Sequence, residues 1–262
     1  SSLMAALFVF ITVYALDGFI KSPASLLGSI WNPEGKEFGI LPMIWASAIL
    51  SLSASVIGWV FALGCSCFIH GYGSKRLARI LSNVLRIMTA IPTVVYGFAS
   101  VFLLVPLIRN GFGGSGFSWL TASIVLSLMI LPTMVLAMDS AFRTIESETE
   151  ITSAALGLTK EQNLALVVLP TSKKWILSSA LLGFGRASGD TLIPTMLAGN
   201  AVQYAISPLD AMRTLTAHIG LVLSSDVGGT AYYSLFVAGG ILLFVSVTAN
   251  IIFRMIRGRS HE

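Results

Sequence analysis

Six stretches of this chain are apolar over roughly the length needed to cross a bilayer. A membrane-crossing helix takes about 20 mostly apolar residues. Candidates lie near 3–20, 42–69, 84–108, 119–138, 176–199 and 231–256. In hydrocarbon, backbone amides must be paired within the segment, and these runs are not the ten-residue alternations of a membrane β-barrel. The expected fold is therefore all-α: a polytopic membrane protein with six transmembrane helices, forming a single domain over residues 1–262. Composition agrees, because 55% of residues are hydrophobic and only 11% charged, against about 25% charged in soluble domains. So few ionisable groups cannot cover a soluble enzyme, and so much apolar surface excludes disorder.

Basic residues assign the sides. With the N-terminus cytoplasmic, Lys75, Arg76, Arg79, Arg86, Arg143, Lys160, Lys173, Lys174, Arg254, Arg257 and Arg259 fall inside. Lys21, Lys36, Arg109 and Arg213 fall outside, and Arg186 lies within a span. Eleven against four places both termini in the cytoplasm. The external segments are then 21–41, with Trp31 and Trp45 suited to the interface, the Gly-rich turn 109–118, and 200–230. Cys65 and Cys67 are two residues apart in an apolar run, without a second ligand pair. No metal site and no cofactor is expected. The chain has no Gly-x4-Gly-Lys-Ser/Thr phosphate loop, so any use of ATP belongs to a separate subunit.

The longest internal connection, 139–175, carries two capping signals. Ser147-Glu-Thr-Glu150 predicts a helix start, with an end at Gly157. Thr159-Lys-Glu-Gln162 opens a second short helix that ends before Pro170. Ser153, Ala154 and Ala155 are the small residues of the first arm. Such a helix–Gly–helix elbow is an ordered linker or a docking element for a cytoplasmic partner.

The fifth span holds the one deep charge pair. An arginine at mid-span costs about 2.5–3.5 kcal/mol on insertion scales. On one helix, Arg186 and Asp190 share a face at i,i+4 and can pair. They either neutralise each other or Arg186 meets an anion, with Ser188, Thr191 and Thr195 as hydroxyl donors. Asp190 then selects among anions. Sulfate is a fully deprotonated acceptor that a carboxylate repels, whereas phosphate keeps a proton that it can donate.

Several segments together resemble a known family. Gly157, nine residues, then Val167-Val-Leu169-Pro170 is similar to the loop signature of ATP-binding-cassette importer permeases. The Glu-Ala-Ala part of that signature is absent, since Ile151 stands six residues before Gly157 with Glu150 beside it. Gly185-Arg-Ala-Ser-Gly-Asp-Thr191 resembles the corresponding segment of phosphate-specific importer permeases. So do Ile91-Pro-Thr-Val-Val-Tyr-Gly97, Ile130-Leu-Pro-Thr133 and Arg213-Thr-Leu-Thr-Ala-His218.

The resemblance runs from about residue 30 to 255 and leans towards the first of two nonidentical permeases. It implies the type I importer permease fold, with a coupling helix over 148–163 between spans 4 and 5. Glu150, Ser153, Ala154, Ala155 and Gly157 would form the ATPase contact, and Arg186, Asp190, Ser188 and Thr191 the substrate site. Implied partners are a second homologous permease, two ATP-binding-cassette ATPase subunits and an extracytoplasmic phosphate-binding protein, in a bacterial inner membrane; no nucleic acid is implied.

Competing expectations are a sulfate, molybdate or tungstate permease, a secondary transporter, and an intramembrane protease. The last would use Ser115 of Gly113-Gly-Ser-Gly116 with His218 as base. Arg109 and Arg213 are candidate guides for an anion or plain loop charges.

Overall fold

A computed structural model describes residues 2–21, 28–35, 37–223 and 230–258. Lys36 and Arg259, counted in the charge balance above, lie outside them. Helix α1, Ser2–Lys21, covers the first expected span. After the short antiparallel pair β1 (Trp31–Asn32) and β2 (Glu37–Phe38), α2 runs over Leu41–Cys67 and ends in a π turn, Phe68–Tyr72.

The third span differs from expectation. Pro92 lacks an amide hydrogen and crowds the residue before it, which drives Ile91 to extended backbone (φ −75°, ψ 123°). Residues 84–90 therefore belong to a separate helix, α3 (Lys75–Ala90), and the apolar run starts afresh in α4, Thr93–Phe112. Helix α3 is amphipathic: Leu77, Ile80, Val84 and Ile87 are exposed on one face, with Arg79, Ser82, Asn83 and Arg86 on another.

The fourth span continues without interruption as α5, Trp119–Ala155, with Pro132 inside it. No helix starts at Ser147, because nothing in 139–146 breaks the one already running. Helix α6, Lys160–Thr171, passes through Pro170 instead of stopping before it. A π turn at Leu164–Val168 immediately precedes Leu169–Thr171 and widens the backbone where the proline supplies no donor.

A 70° bend then leads into α7, Lys173–Ser188. The expected fifth span does not reach residue 199 as one helix. It stops at Ser188, and α8 begins at Leu192 (Leu192–Leu197). The segment 200–230, expected as an external connection, contains the apolar helix α9, Leu215–Leu223, before α10, Thr230–Gly258.

Among the described residues, four helices are long and apolar enough to cross a membrane: Leu41–Tyr72, Thr93–Phe112, Trp119–Ala155 and Tyr232–Met255. The bent pair α6 and α7 makes a fifth if counted as one span.

The chain divides into two compact units. The first comprises Ser1–Leu52, Thr93–Val125 and Ser188–Thr248. Its core gathers Phe38, Ile40, Met43, Leu215, Val222 and Leu235 around the small hairpin. Gly97 lets α8 approach α4 closely: a Cβ there would lie 2.7 Å from Met196 Sδ. Gly240 does the same for α10 against Ala15 of α1.

The second unit comprises Ser53–Pro92, Leu126–Ala187 and Ala249–Glu262. Ala62, Ile130, Met134, Met138 and Phe142 are fully buried in it. Gly183 gives the Met134 side chain room to lie against α7, since a Cβ there would fall on its methyl group and force it to another rotamer. Trp59 Nε1 donates to the Ile176 carbonyl at 2.8 Å, which ties α2 to α7.

Candidate functional site

The elbow of the second unit is built from local chemistry. Gly157 takes φ +65°, the left-handed conformation that ends α5. Its amide bonds Ala154 O at 3.0 Å and that of Leu158 bonds Ser153 O at 3.1 Å, the paired contacts of a Schellman cap. At the other arm the expected capping box is complete. Thr159 Oγ1 accepts from Gln162 N at 3.3 Å, and Gln162 Oε1 accepts from Thr159 N at 2.9 Å. Ser153 Oγ donates to Asn163 Oδ1 at 2.8 Å and locks one arm to the other.

Glu150, Ala154, Ala155 and Gly157 are exposed on this elbow, while Ser153 is buried. Ile151 and Leu156, 85% and 70% exposed, give it an apolar crown. A cavity of about 620 Å³ lies against it, lined by His70, Glu146, Glu150, Lys160 and Asn163 among others.

Directly behind the elbow stands a charge group that the sequence reading passed over. His70 Nδ1 meets Glu146 Oε1 at 2.9 Å and its Nε2 meets Asp139 Oδ1 at 2.9 Å. Arg143 Nε donates to Asp139 Oδ2 at 2.9 Å. Both imidazole nitrogens donate to carboxylates, which only the doubly protonated ring can do. Two positive and two negative groups then balance. Asp139, Arg143 and Glu146 recur at i, i+4 and i+7 on one helix, and a lone histidine sits in an otherwise apolar run. Those were the available signals.

The break after α7 has a clear local cause. Gly189 leaves the helix, and the Asp190 carboxylate accepts the Ile193 amide at 2.9 Å, capping α8. Arg186 and Asp190 therefore do not share a helix face at i,i+4, because the helix ends between them. Within the first unit, Thr216 Oγ1 donates to the Asp190 carbonyl at 2.8 Å and Thr195 Oγ1 to the Thr191 carbonyl at 2.6 Å. Asp190 and Ser188 are half-buried. Within the second unit, Arg186 ends α7 as an exposed side chain whose Nε reaches the Met129 sulfur at 3.3 Å.

The remaining candidates have structural partners. Arg109 Nε holds the Ser115 carbonyl of the Gly-rich turn at 2.9 Å, and Arg213 Nε holds the Asn200 carbonyl at 3.0 Å. Ser115 Oγ is bonded to the Phe117 backbone. His218 is fully buried, with Nε2 3.0 Å from Ser234 Oγ and its ring edge-on to Trp31. Burial, with the Arg213 charge adding to it, pushes the His218 imidazole down to about 4. This serine and histidine do not form the pair a protease requires.

Long apolar helices, one pair of them bent by 70°, are the architecture of a multi-pass membrane protein. The chain belongs to the binding-protein-dependent transport system inner membrane component family, which it matches over residues 54–260. It is 30% identical over 266 residues to the probable ABC transporter permease protein YqgH of Bacillus subtilis, covering 97% of this chain and 85% of that one. It is 28% identical over 240 residues to the phosphate transport system permease protein PstC of Mesorhizobium japonicum, covering 84% and 73%.

Among solved structures it resembles an inward-facing MetNI methionine ABC transporter at TM-score 0.61 and 17% identity, covering 87% of this chain and 99% of that one. A bacterial alginate ABC transporter in complex with its pentasaccharide-bound periplasmic protein gives TM-score 0.58 at 14% identity, covering 99% and 93%. These two likenesses concern the fold.

Proposed function

We propose that this chain is a permease subunit of an ATP-driven phosphate importer, with a partner chain hydrolysing the ATP. The observation that carries the substrate is the run Gly185–Thr191, where an exposed arginine and a carboxylate flank a helix break inside an apolar segment. Arg186 supplies the positive site, and Asp190 accepts the proton that phosphate retains, with Ser188 and Thr191 as further donors. A sulfate dianion meets Asp190 as a repulsive charge, so the same carboxylate that admits phosphate rejects it. The names of the PstC relatives support the same substrate.

Both compact units belong, in this reading, to one six-span permease domain. Helix α1 supplies the first span, α6 and α7 together the fifth, and both termini face the cytoplasm. A binding protein delivers phosphate from outside, a homologous permease completes the pathway, and two ATPase subunits drive alternating access. The elbow over 148–163 is the coupling element: its apolar crown of Ile151 and Leu156 inside a charged rim suits a groove on a partner. Arg186 holds the anion weakly enough to release it.

The test is reconstitution of the chain with its partners in vesicles, followed by ATP-driven uptake of phosphate against sulfate. Phosphate uptake that sulfate does not inhibit is expected; sulfate or molybdate uptake in preference would replace this substrate.

A further inference from the structure

Helix α2 reaches the elbow through its last turn, and that turn is unusual. Phe68–Tyr72 is a π turn closed by the Gly73 amide on the Phe68 carbonyl at 2.7 Å. It projects two neighbouring residues in two directions. His70, its side chain only 4% exposed, bonds Asp139 and Glu146 of α5 and lies edge-on to Phe142 at 5.3 Å. Gly71 is pressed against Leu164, where a Cβ would come within 2.5 Å of Leu164 Cδ2. Leu164 opens the second π turn, inside α6. One turn of α2 thus grips both arms of the elbow, one by charge and one by close packing. π turns interrupt helices mostly where function needs a particular geometry.

From this geometry we propose that His70 is a positioning residue of the coupling machinery: the end of α2 clamps α5 and α6, so elbow and α2 move as one body. The proposal rests on the elbow being the ATPase contact. A purely apolar contact would hold α5 as firmly, but it would tolerate sliding by a residue. Directed bonds from both nitrogens of one imidazole fix a single register. Motion imposed on the elbow is then delivered to α2, which at Leu41–Tyr72 is long enough to cross the bilayer.

The experiment uses the full reconstituted complex, with spin labels at Tyr72 and Lys160 in a chain whose Cys65 and Cys67 are replaced. Both labelled positions are exposed. In the wild-type background a single distance is expected, unchanged between nucleotide-free and ATP-bound states. In His70→Ala a second distance appears with ATP, and phosphate moved per ATP hydrolysed falls by about five- to tenfold, the range of a lost coupling of this kind. All subunits still co-purify.

Glu146→Gln keeps the shape and the Asp139 contact; it gives a smaller fall of the same sign and carries the test if His70→Ala does not assemble. Wild-type distances and a wild-type phosphate-to-ATP ratio in an assembled variant would overturn the proposal. A wild-type complex without ATP-dependent phosphate uptake would instead overturn the reading on which it rests.

Discussion

His70, Asp139, Arg143 and Glu146 answer one another at about 3 Å behind the elbow, whereas Arg186 rests one donor on a thioether and remains exposed. Both sets of charges sit in or beside apolar helices, where isolated charge is expensive. The first has removed that cost internally and has little left to offer a ligand. The second keeps a guanidinium whose partner is a weak acceptor, at the end of a helix that stops two residues later. The contrast separates charges that hold the fold from a charge available to a passing anion.

The sharpest break of that comparison is Asp139→Ala. It leaves His70 with Glu146 alone and Arg143 without its carboxylate, and each lost hydrogen bond to a charged group costs about 1.5–3 kcal/mol where the pair is buried, as it is for His70. The solubilised complex should melt well below wild type or fail to assemble; an unchanged melting temperature would make the group an ornament. Arg186→Gln should do the reverse. A hydrogen bond from a charged group contributes about 1.5–3 kcal/mol, so phosphate uptake should fall about 10- to 100-fold with the melting temperature intact.

Acidification provides a third, intermediate effect. His218 is held neutral by burial, with a value near 4 against 6.5 when unfolded. The unfolded chain therefore takes up the proton first, and stability from this site is complete above pH 6.5 and declines as pH falls towards 4. Hydrogen exchange of α9 should accelerate over that window, and less so in His218→Asn.

Smaller still, Asp190→Asn keeps a good helix cap, so α8 stays folded to within a few tenths of a kcal/mol. It nevertheless removes the repulsion towards sulfate. The ratio of phosphate to sulfate uptake should drop, and an unchanged ratio would take Asp190 out of anion selection. Thr159→Ala, which deletes only a cap, should cost the elbow about 1 kcal/mol, visible as faster amide exchange over residues 160–163.

The two regions also differ in how much of them could be read from sequence. Gly157 and the Thr159–Gln162 box act within a few residues, and the structure contains both as expected. The start at Ser147 failed because a capping signal competes with a helix already propagating, and extending a helix costs less than nucleating one. Pro92 ended a helix and Pro132 did not. The difference lies in tertiary surroundings that a single proline does not reveal.

Gly183, Gly185, Gly189 and Pro194 all interrupt the fifth apolar run, but Gly183 and Gly185 stay helical and only Gly189, followed by the capping Asp190, marks the break. His70 was missed for a non-local reason. Its partners lie 69 and 76 residues away, and only the fold brings them together.

Uptake and stability measured together on Arg186→Gln in the reconstituted complex test the central claim most directly. The account predicts an assembled complex that melts like wild type, hydrolyses ATP and takes up phosphate at least about tenfold more slowly. Wild-type phosphate uptake by that variant would contradict it.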